Sequence, residues 1–316
     1  MKKMRKIIPA LAMLLVSAVM MSTASFAWFS MNTTATIEGM QVKATSSGGL
    51  AIAVSNTKNV APPDGSVYKT SVDVTDGWTN NASQIQPVSN TAGSDSWYYG
   101  RAASVDSFAI PTTGEGSTYT SIGTIAPDGS GANEGNGYFL HTQVFVKSLS
   151  EAHVLADGTN PKNTGSLYVS KITVAGGNTT GAGKDLEKAL RVAVRYTDNK
   201  NTADTADDEV KWLYFAPKAT AAATDLKYVN STTTTTAYTG AQMFIGEAAT
   251  ESTDANTIKT FANAQIFAGG TATGLLYDTP VKIDIFVYYE GEDTNCKTQN
   301  AIDLKTLTVT VDFTIK

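Results

Sequence analysis

Residues 306–315, close to the carboxyl terminus, alternate strictly between polar and apolar side chains. The apolar positions are Leu307, Val309, Val311, Phe313 and Ile315. A period of two gives a β-strand one buried face and one solvated face, whereas a helix would spread the same apolar residues over all of its sides. The pattern therefore predicts a long strand at the border of an apolar core.

A second alternating segment lies just upstream, at residues 281–290. Residues 291–301 between the two segments are polar and turn-forming, so we expect both segments to form or join one antiparallel sheet. The apolar positions of the second segment are Val281, Ile283, Ile285, Val287 and Tyr289, and they alternate with Lys282, Asp284, Phe286, Tyr288 and Glu290.

Strand signals recur along the chain, whereas only residues 184–190 have a helical pattern, of two turns at most. Many short strands with turn-rich connections and no alternation with helices predict an all-β protein. We expect an antiparallel β-sandwich of jelly-roll type, with long loop insertions and at most one short helix. The other candidate strands are residues 36–44, 50–55, 138–147, 167–175, 190–197 and 210–216, with weaker signals at 242–246 and 264–268.

The first thirty residues have the three-part layout of a secretory signal peptide. Four basic side chains at residues 2–6 precede an apolar run at residues 7–21, and small residues then lead to a cleavage site after Ala27. The run of about 15 residues is shorter than the roughly 20 that span a bilayer. We expect residues 1–27 to be removed on export, with membrane contact only before cleavage. An uncleaved anchor and a cut near residues 22–24 are the alternatives.

The remaining residues, 28–316, are predicted to form a single domain with two long polar excursions, at residues 56–135 and 217–262. Aromatic residues in the first excursion indicate that it is at least partly packed. The run Trp97-Tyr98-Tyr99 is a candidate sugar-stacking platform, but a small satellite core under the loop is the interpretation we favour.

The net charge argues against one class of partner, and the cysteine content excludes one source of stability. Four of the 24 basic residues and none of the 29 acidic ones lie in residues 1–27, so the mature chain has a formal net charge of −9. An acidic chain without a basic stripe repels phosphate backbones, which argues against nucleic acid as a partner. Cys296 is the only cysteine, so no intramolecular disulfide can form and sheet pairing must supply the stability.

Residues that carry enzyme chemistry are sparse. The chain has two histidines, His141 and His153, and no HExxH, zinc-ligand, P-loop or GxSxG pattern. His141 shares a predicted strand face with Gln143 and Lys147, which predicts a surface residue. Cys296 has acidic sequence neighbours that oppose thiolate formation, which predicts an inert thiol. We expect no catalytic residue, no cofactor and no enzymatic activity.

An acidic segment separates two of the predicted strands. Calcium binds to oxygen-rich acidic loops, so this segment is a candidate Ca²⁺ site. Its spacing does not match the EF-hand pattern and no glycine makes the sharp turn, so we favour a solvated acidic loop without metal. The candidate ligands are Asp198, Asp204, Asp207 and Asp208, with Glu209 beside them.

The junction after the apolar run has a more specific pattern. Ala27-Trp28-Phe29-Ser30 leads through residues 34–37 into Gly39-Met40-Gln41-Val42-Lys43-Ala44. This order of segments resembles the amino-terminal region of exported proteins processed by the SipW-type signal peptidase. In both, an apolar run is followed by an aromatic pair with serine and then by a strand. That group includes the TasA and camelysin biofilm-matrix proteins of Gram-positive bacteria. Residues 1–55 carry this resemblance, and residues 281–316 more loosely resemble a clostridial version.

The resemblance implies a jelly-roll-like sandwich that polymerises by donor-strand exchange, in which the mature amino-terminal segment, roughly Trp28–Val42, completes the sheet of the next subunit. An unpaired sheet edge accepts such a strand because the strand satisfies its backbone groups. Met31-Asn32 depart from the acidic start expected after the serine. Camelysin has been classed as a metallopeptidase, but this chain has no metal motif. The donor-strand candidates are Trp28, Phe29, Ile37, Met40 and Val42.

We therefore predict an extracellular structural protein, at the cell surface or in the biofilm matrix of a Gram-positive bacterium. Its main partner would be a second copy of itself, with other matrix proteins or glycans as further candidates. The alternative is a monomeric surface adhesin or carbohydrate-binding module that uses residues 56–135.

Overall fold

A computed structural model of the chain shows an all-β protein. The described residues form seventeen strands and short 3-10 helices, with no α-helix among them. The predicted helical segment at 184–190 contains a single 3-10 turn, Glu187–Ala189. The structure describes residues 41–47, 49–63, 65–79, 87–99, 120–124, 138–149, 166–176, 187–198, 208–216, 227–231, 234–238, 243–245, 257–260, 264–267, 278–293, 295–296 and 307–315.

Six strands form the first main sheet, sheet I. Their order is β14–β8–β17–β1–β3, and β15 pairs with β8 beside β14. The pairs are antiparallel except for β1 and β17, which run parallel. The bounds are β1 Gln41–Ser47, β3 Ser71–Asp73, β8 Leu167–Gly176, β14 Thr257–Thr260, β15 Gln265–Phe267 and β17 Leu307–Ile315.

Six further strands form sheet II, in the order β13–β10–β9–β16–β7–β2. All pairs are antiparallel except β10 with β13. The bounds are β2 Leu50–Ala53, β7 Leu140–Ser148, β9 Leu190–Asp198, β10 Glu209–Ala216, β13 Met243–Ile245 and β16 Val281–Tyr289.

The two sheets enclose one apolar core. Val309 and Val311 of β17 reach it from sheet I, and Val192 of β9 and Ile285 of β16 reach it from sheet II. In β17 the side chains alternate between buried and half-buried along the whole strand, as the sequence pattern predicts. The prediction of an all-β sandwich is confirmed.

The two alternating segments near the carboxyl terminus do not share a sheet. The segment at 281–290 forms β16 at the centre of sheet II, and the segment at 306–315 forms β17 in sheet I. The expectation of one common sheet is therefore wrong. Alternation shows that each strand has one apolar face, but the two faces meet across the core rather than side by side.

A third layer covers the outer face of sheet II. It consists of a three-stranded sheet, β4–β5–β6, and a hairpin, β11–β12. Consequently β7 is buried on both faces along its length. The bounds of these strands are β4 Ser89–Asn90, β5 Ser96–Tyr99, β6 Thr120–Thr124, β11 Lys227–Val229 and β12 Thr235–Ala237.

The two predicted excursions thus contain structure of their own. Residues 56–135 supply β3 to sheet I, two 3-10 turns, Gly65–Val67 and Val74–Asp76, and all three strands of the small sheet. Residues 217–262 supply the hairpin and two edge strands, β13 and β14. β13 coincides with the weak strand signal at 242–246. The sequence does not predict the other strands of the two excursions, because each is only two to five residues long and short strands leave little periodic signal.

Candidate functional site

A buried polar network lies between the outer face of sheet II and the third layer. The strand register places Asp284 of β16 beside Gln143 of β7 on one side and Arg195 of β9 on the other. His141, two residues before Gln143, points to the same face. All four side chains are buried, so each must find its partners within the protein.

Asp284 is the centre of this network. Its Oδ1 atom accepts a hydrogen bond from Gln143 Nε2 at 2.7 Å and lies 3.0 Å from His141 Nε2, while its Oδ2 atom accepts one from Arg195 Nη1 at 3.0 Å. Burial alone would raise the pKa of the Asp284 carboxyl, but the hydrogen bond from His141 and the charges of Lys282 and Arg195 lower that pKa to about 2. The ionised carboxylate joins three strands of sheet II.

Aromatic rings and a second carboxylate enclose the network. The His141 ring stacks on Phe286, with centroids 4.1 Å apart, and meets the edge of Trp78 at 5.0 Å. Asp95, from the third layer, accepts hydrogen bonds from Arg195 Nε and Trp212 Nε1, both at 3.1 Å. The expectation that His141 is a surface residue is wrong, because these rings cover the face on which it lies.

Tight backbone packing brings Trp78 over this face. The Trp78 amide donates to the Ser55 carbonyl at 2.7 Å. A Cβ atom on the preceding residue, Gly77, would lie 2.6 Å from Val54 Cβ, so only glycine fits there. The segment that follows β2 is thereby fixed against sheet II.

A second buried cluster lies where β16 ends. Arg191 Nη2 donates to Asp293 Oδ2 at 2.6 Å, and both side chains are fully buried. Glu290 is buried beside them, and its pKa is raised to about 8 by burial, which outweighs the hydrogen bond from Ser89 and the charge of Arg191. One cation faces two carboxyl groups, so Glu290 keeps its proton at neutral pH.

The buried proton on Glu290 makes stability depend on pH. The folded pKa of about 8 lies above the ordinary value of 4.5, so the contribution of Glu290 to stability should fall as pH rises from about 4.5 to 8 and change no further above that. We expect Glu290→Gln to remove this slope and to stabilise the protein by roughly 1–3 kcal/mol at pH 8. Urea unfolding across this pH range would show it. A variant with the slope of the parent protein would contradict the assignment.

Cys296 lies in the same cluster and is buried. Burial, together with the negative charges of Asp293 and Glu290, raises the pKa of its thiol well above the ordinary value. A protonated, inaccessible thiol is a poor nucleophile. This agrees with the inert thiol predicted from the sequence.

The calcium candidates are only partly described. Lys211 Nζ donates to Asp198 Oδ2 at 2.7 Å, so a side-chain cation already pairs with that carboxylate. Asp208 is exposed. Asp204 and Asp207 lie outside the described residues. Within the described part of the chain, no group of three or more His, Cys, Asp or Glu side chains has a geometry that could hold a metal ion.

Trp97 lies inside the molecule rather than on a surface platform. It is fully buried in a second apolar cluster between sheet II and the third layer. Its ring centroid lies 4.4 Å from that of Phe139 and 5.1 Å from that of Tyr288. The favoured interpretation, a satellite core, therefore describes Trp97 correctly, and a sugar-stacking surface built on this side chain is excluded.

The amino-terminal strand β1 lies inside sheet I, between β17 and β3. Its parallel register pairs Gln41 with Thr308 and Ser47 with Thr314, and Val42 is fully buried in the core. Val42 thus packs in the core of its own chain, and its role as a donor residue stays a prediction. Ala27 and the other donor candidates, Trp28, Phe29, Ile37 and Met40, lie outside the described residues.

Comparisons with known proteins add no relatives. No protein-family model matches the chain, and no match exists among curated proteins or solved structures. The described part of the chain contains no helix with the length and hydropathy of a membrane span.

Proposed function

We propose that this chain is a secreted structural protein whose copies assemble into an extracellular filament. Each copy would add its amino-terminal arm, residues 28–40, as a strand to the next copy. The parallel register of β1 and β17 supports this proposal most directly. Gln41 pairs with Thr308, the second residue of β17, so the described ladder between the two strands begins at the amino-terminal ends of both.

The position of β1 also supports donation by the arm. β1 fills the position between β17 and β3, and its Val42 and Ala44 side chains are fully buried in the core. Among the described residues, the two six-stranded sheets begin with Gln41. The arm carries four apolar candidates, Trp28, Phe29, Ile37 and Met40, and an added strand would bury such side chains while its backbone groups pair.

Sheet II offers a place where such a strand can add. Among the described residues, β13 pairs with Tyr214, Phe215 and Ala216 of β10 and is the last strand on that side of sheet II. An open edge is a template for a strand from another chain. Because arm and edge are different surfaces, the contact is head-to-tail and gives a filament rather than a closed dimer.

Two deletions test the proposal. We expect the mature protein, residues 28–316, to form filaments in negative-stain electron microscopy, and the protein without residues 28–40 to remain a folded monomer. Deleting β1, residues 41–47, should instead unfold the protein, because it removes buried core residues and the partner of β17. Circular dichroism would separate these outcomes. Filaments from the arm deletion, or a mature protein that stays monomeric at high concentration, would contradict strand donation.

A further inference from the structure

A lysine, an asparagine and a carboxylate meet at the outer face of sheet II. Lys282 Nζ on β16 donates to the side-chain oxygen Oδ1 of Asn59 at 2.8 Å, across a long separation in sequence. Asp284 Oδ2 lies 3.8 Å from the same Nζ atom. An amine, a carboxamide and a carboxylate are the three groups that an amide exchange between side chains requires.

Gln143 holds both the carboxamide and the backbone amide of Asn59. Gln143 Nε2 donates to Asn59 Oδ1 at 2.7 Å, and the Asn59 backbone amide donates to Gln143 Oε1 at 2.8 Å. Asn59 also has a positive φ of 62°, a conformation that asparagine tolerates better than most residues. A hydrogen-bond donor aimed at a carbonyl oxygen stabilises the negative charge that develops there when a nucleophile attacks.

We propose that Lys282 and Asn59 join in an intramolecular isopeptide bond. Lys282 Nζ, after loss of a proton to solvent that the released ammonia later regains, attacks Asn59 Cγ, and negative charge develops on Oδ1 beside Gln143 Nε2. Asp284 accepts the proton that the attacking nitrogen releases and delivers it to the departing Nδ2 nitrogen. The new Nζ–Cγ bond replaces the Cγ–Nδ2 bond. In balance, an ammonium group and a carboxamide become an amide and an ammonium ion, with no further reactant.

The surroundings favour this reaction over a plain hydrogen bond. Asp284 is held by Arg195 and Gln143, so it stays beside Nζ without rearrangement. Lys282 is one-fifth exposed and Asn59 is exposed, which leaves ammonia a path to solvent. Because each molecule reacts once, even a slow step would reach completion during the life of the protein.

Another lysine on sheet II provides a matched contrast. Lys147 Nζ lies 2.6 Å from Asp278 Oδ1, so it is as close to its partner as Lys282 is to Asn59. Its partner is a carboxylate, whose negative charge makes the carbon a poor electrophile. We therefore expect an ion pair and no covalent bond at Lys147.

Intact-mass measurement of the denatured mature protein tests the proposal. We expect a mass about 17 Da below that of the sequence, equal to one ammonia, and a protease digest with one linked pair of peptides that carry Asn59 and Lys282. Lys282→Arg and Asn59→Ala should each restore the full mass, whereas Lys147→Arg should keep the deficit. These readouts are made on unfolded chains, so they do not depend on the stability of a variant.

Two outcomes would overturn the proposal. One is a parent protein that keeps its full sequence mass after several days in the folded state at neutral pH. The other is a mass deficit that persists in Lys282→Arg, which would place the lost ammonia elsewhere. The measurement is independent of filament formation, because it applies equally to monomeric and assembled protein.

Discussion

Replacing Asp284 by alanine should destabilise the fold by about 3–5 kcal/mol, because the change leaves the buried Arg195 guanidinium without its carboxylate partner on β16. The same change removes an acceptor from His141 and from Gln143. Chemical unfolding at pH 7, followed by circular dichroism, would measure the loss. An effect below about 1 kcal/mol would mean that the network contributes little to stability.

Asp312→Ala is the matched control for Asp284→Ala. Asp312 also faces a cation, but its carboxylate is about one-fifth exposed and lies 3.7 Å from Lys171 Nζ. Exposed pairs of this kind contribute roughly 0–1 kcal/mol. The contribution of Asp284 to stability should also depend on pH. Asp284 has a folded pKa of about 2 against an ordinary 3.8, so its stabilisation is present above about pH 3.8 and is lost as pH falls through 2.

Trp97→Ala should also destabilise the fold by about 3–5 kcal/mol. Trp97 is the largest fully buried side chain among the described residues, and its removal leaves a cavity. Its ring contacts Phe139, Phe286 and Tyr288, which belong to sheet II or lie next to it. We expect the third layer to loosen from sheet II. Limited proteolysis should then cut residues 87–124 sooner than in the parent protein, and the unfolding midpoint should fall.

Tyr98→Ala is the control, because Tyr98 is adjacent in sequence but only half-buried. It should change stability by much less than Trp97→Ala, since less apolar area leaves the core. Equal losses from both substitutions would show that the small sheet depends on its own pairing rather than on the Trp97 anchor.

The sequence predicts a strand of the sandwich well where one face of that strand is exposed to solvent. β17 is the clearest case, because its threonines lie on the half-buried outer face of sheet I and its apolar residues lie in the core. It does not predict which sheet a strand joins. Both β16 and β17 carry one apolar face, and only long-range pairing, β16 with β7 and β9 and β17 with β1 and β8, separates them.

The sequence did not predict the buried polar network. Polar side chains along one face of a strand ordinarily indicate that this face is exposed to solvent. Asp284 and His141 are therefore expected on the surface, although both side chains are buried and Trp78 packs against His141. One signal was present in the sequence. Phe286 and Tyr288 lie on the same face of β16 as Asp284, and two large aromatic rings on an otherwise polar face indicate that another layer packs there.

The parallel contact between β1 and β17 also restricts the order of folding. The first described strand can take its place only after the last described strand has been synthesised, so sheet I cannot close while the chain is still growing on the ribosome. Contacts between such distant parts of a chain raise the contact order and slow folding.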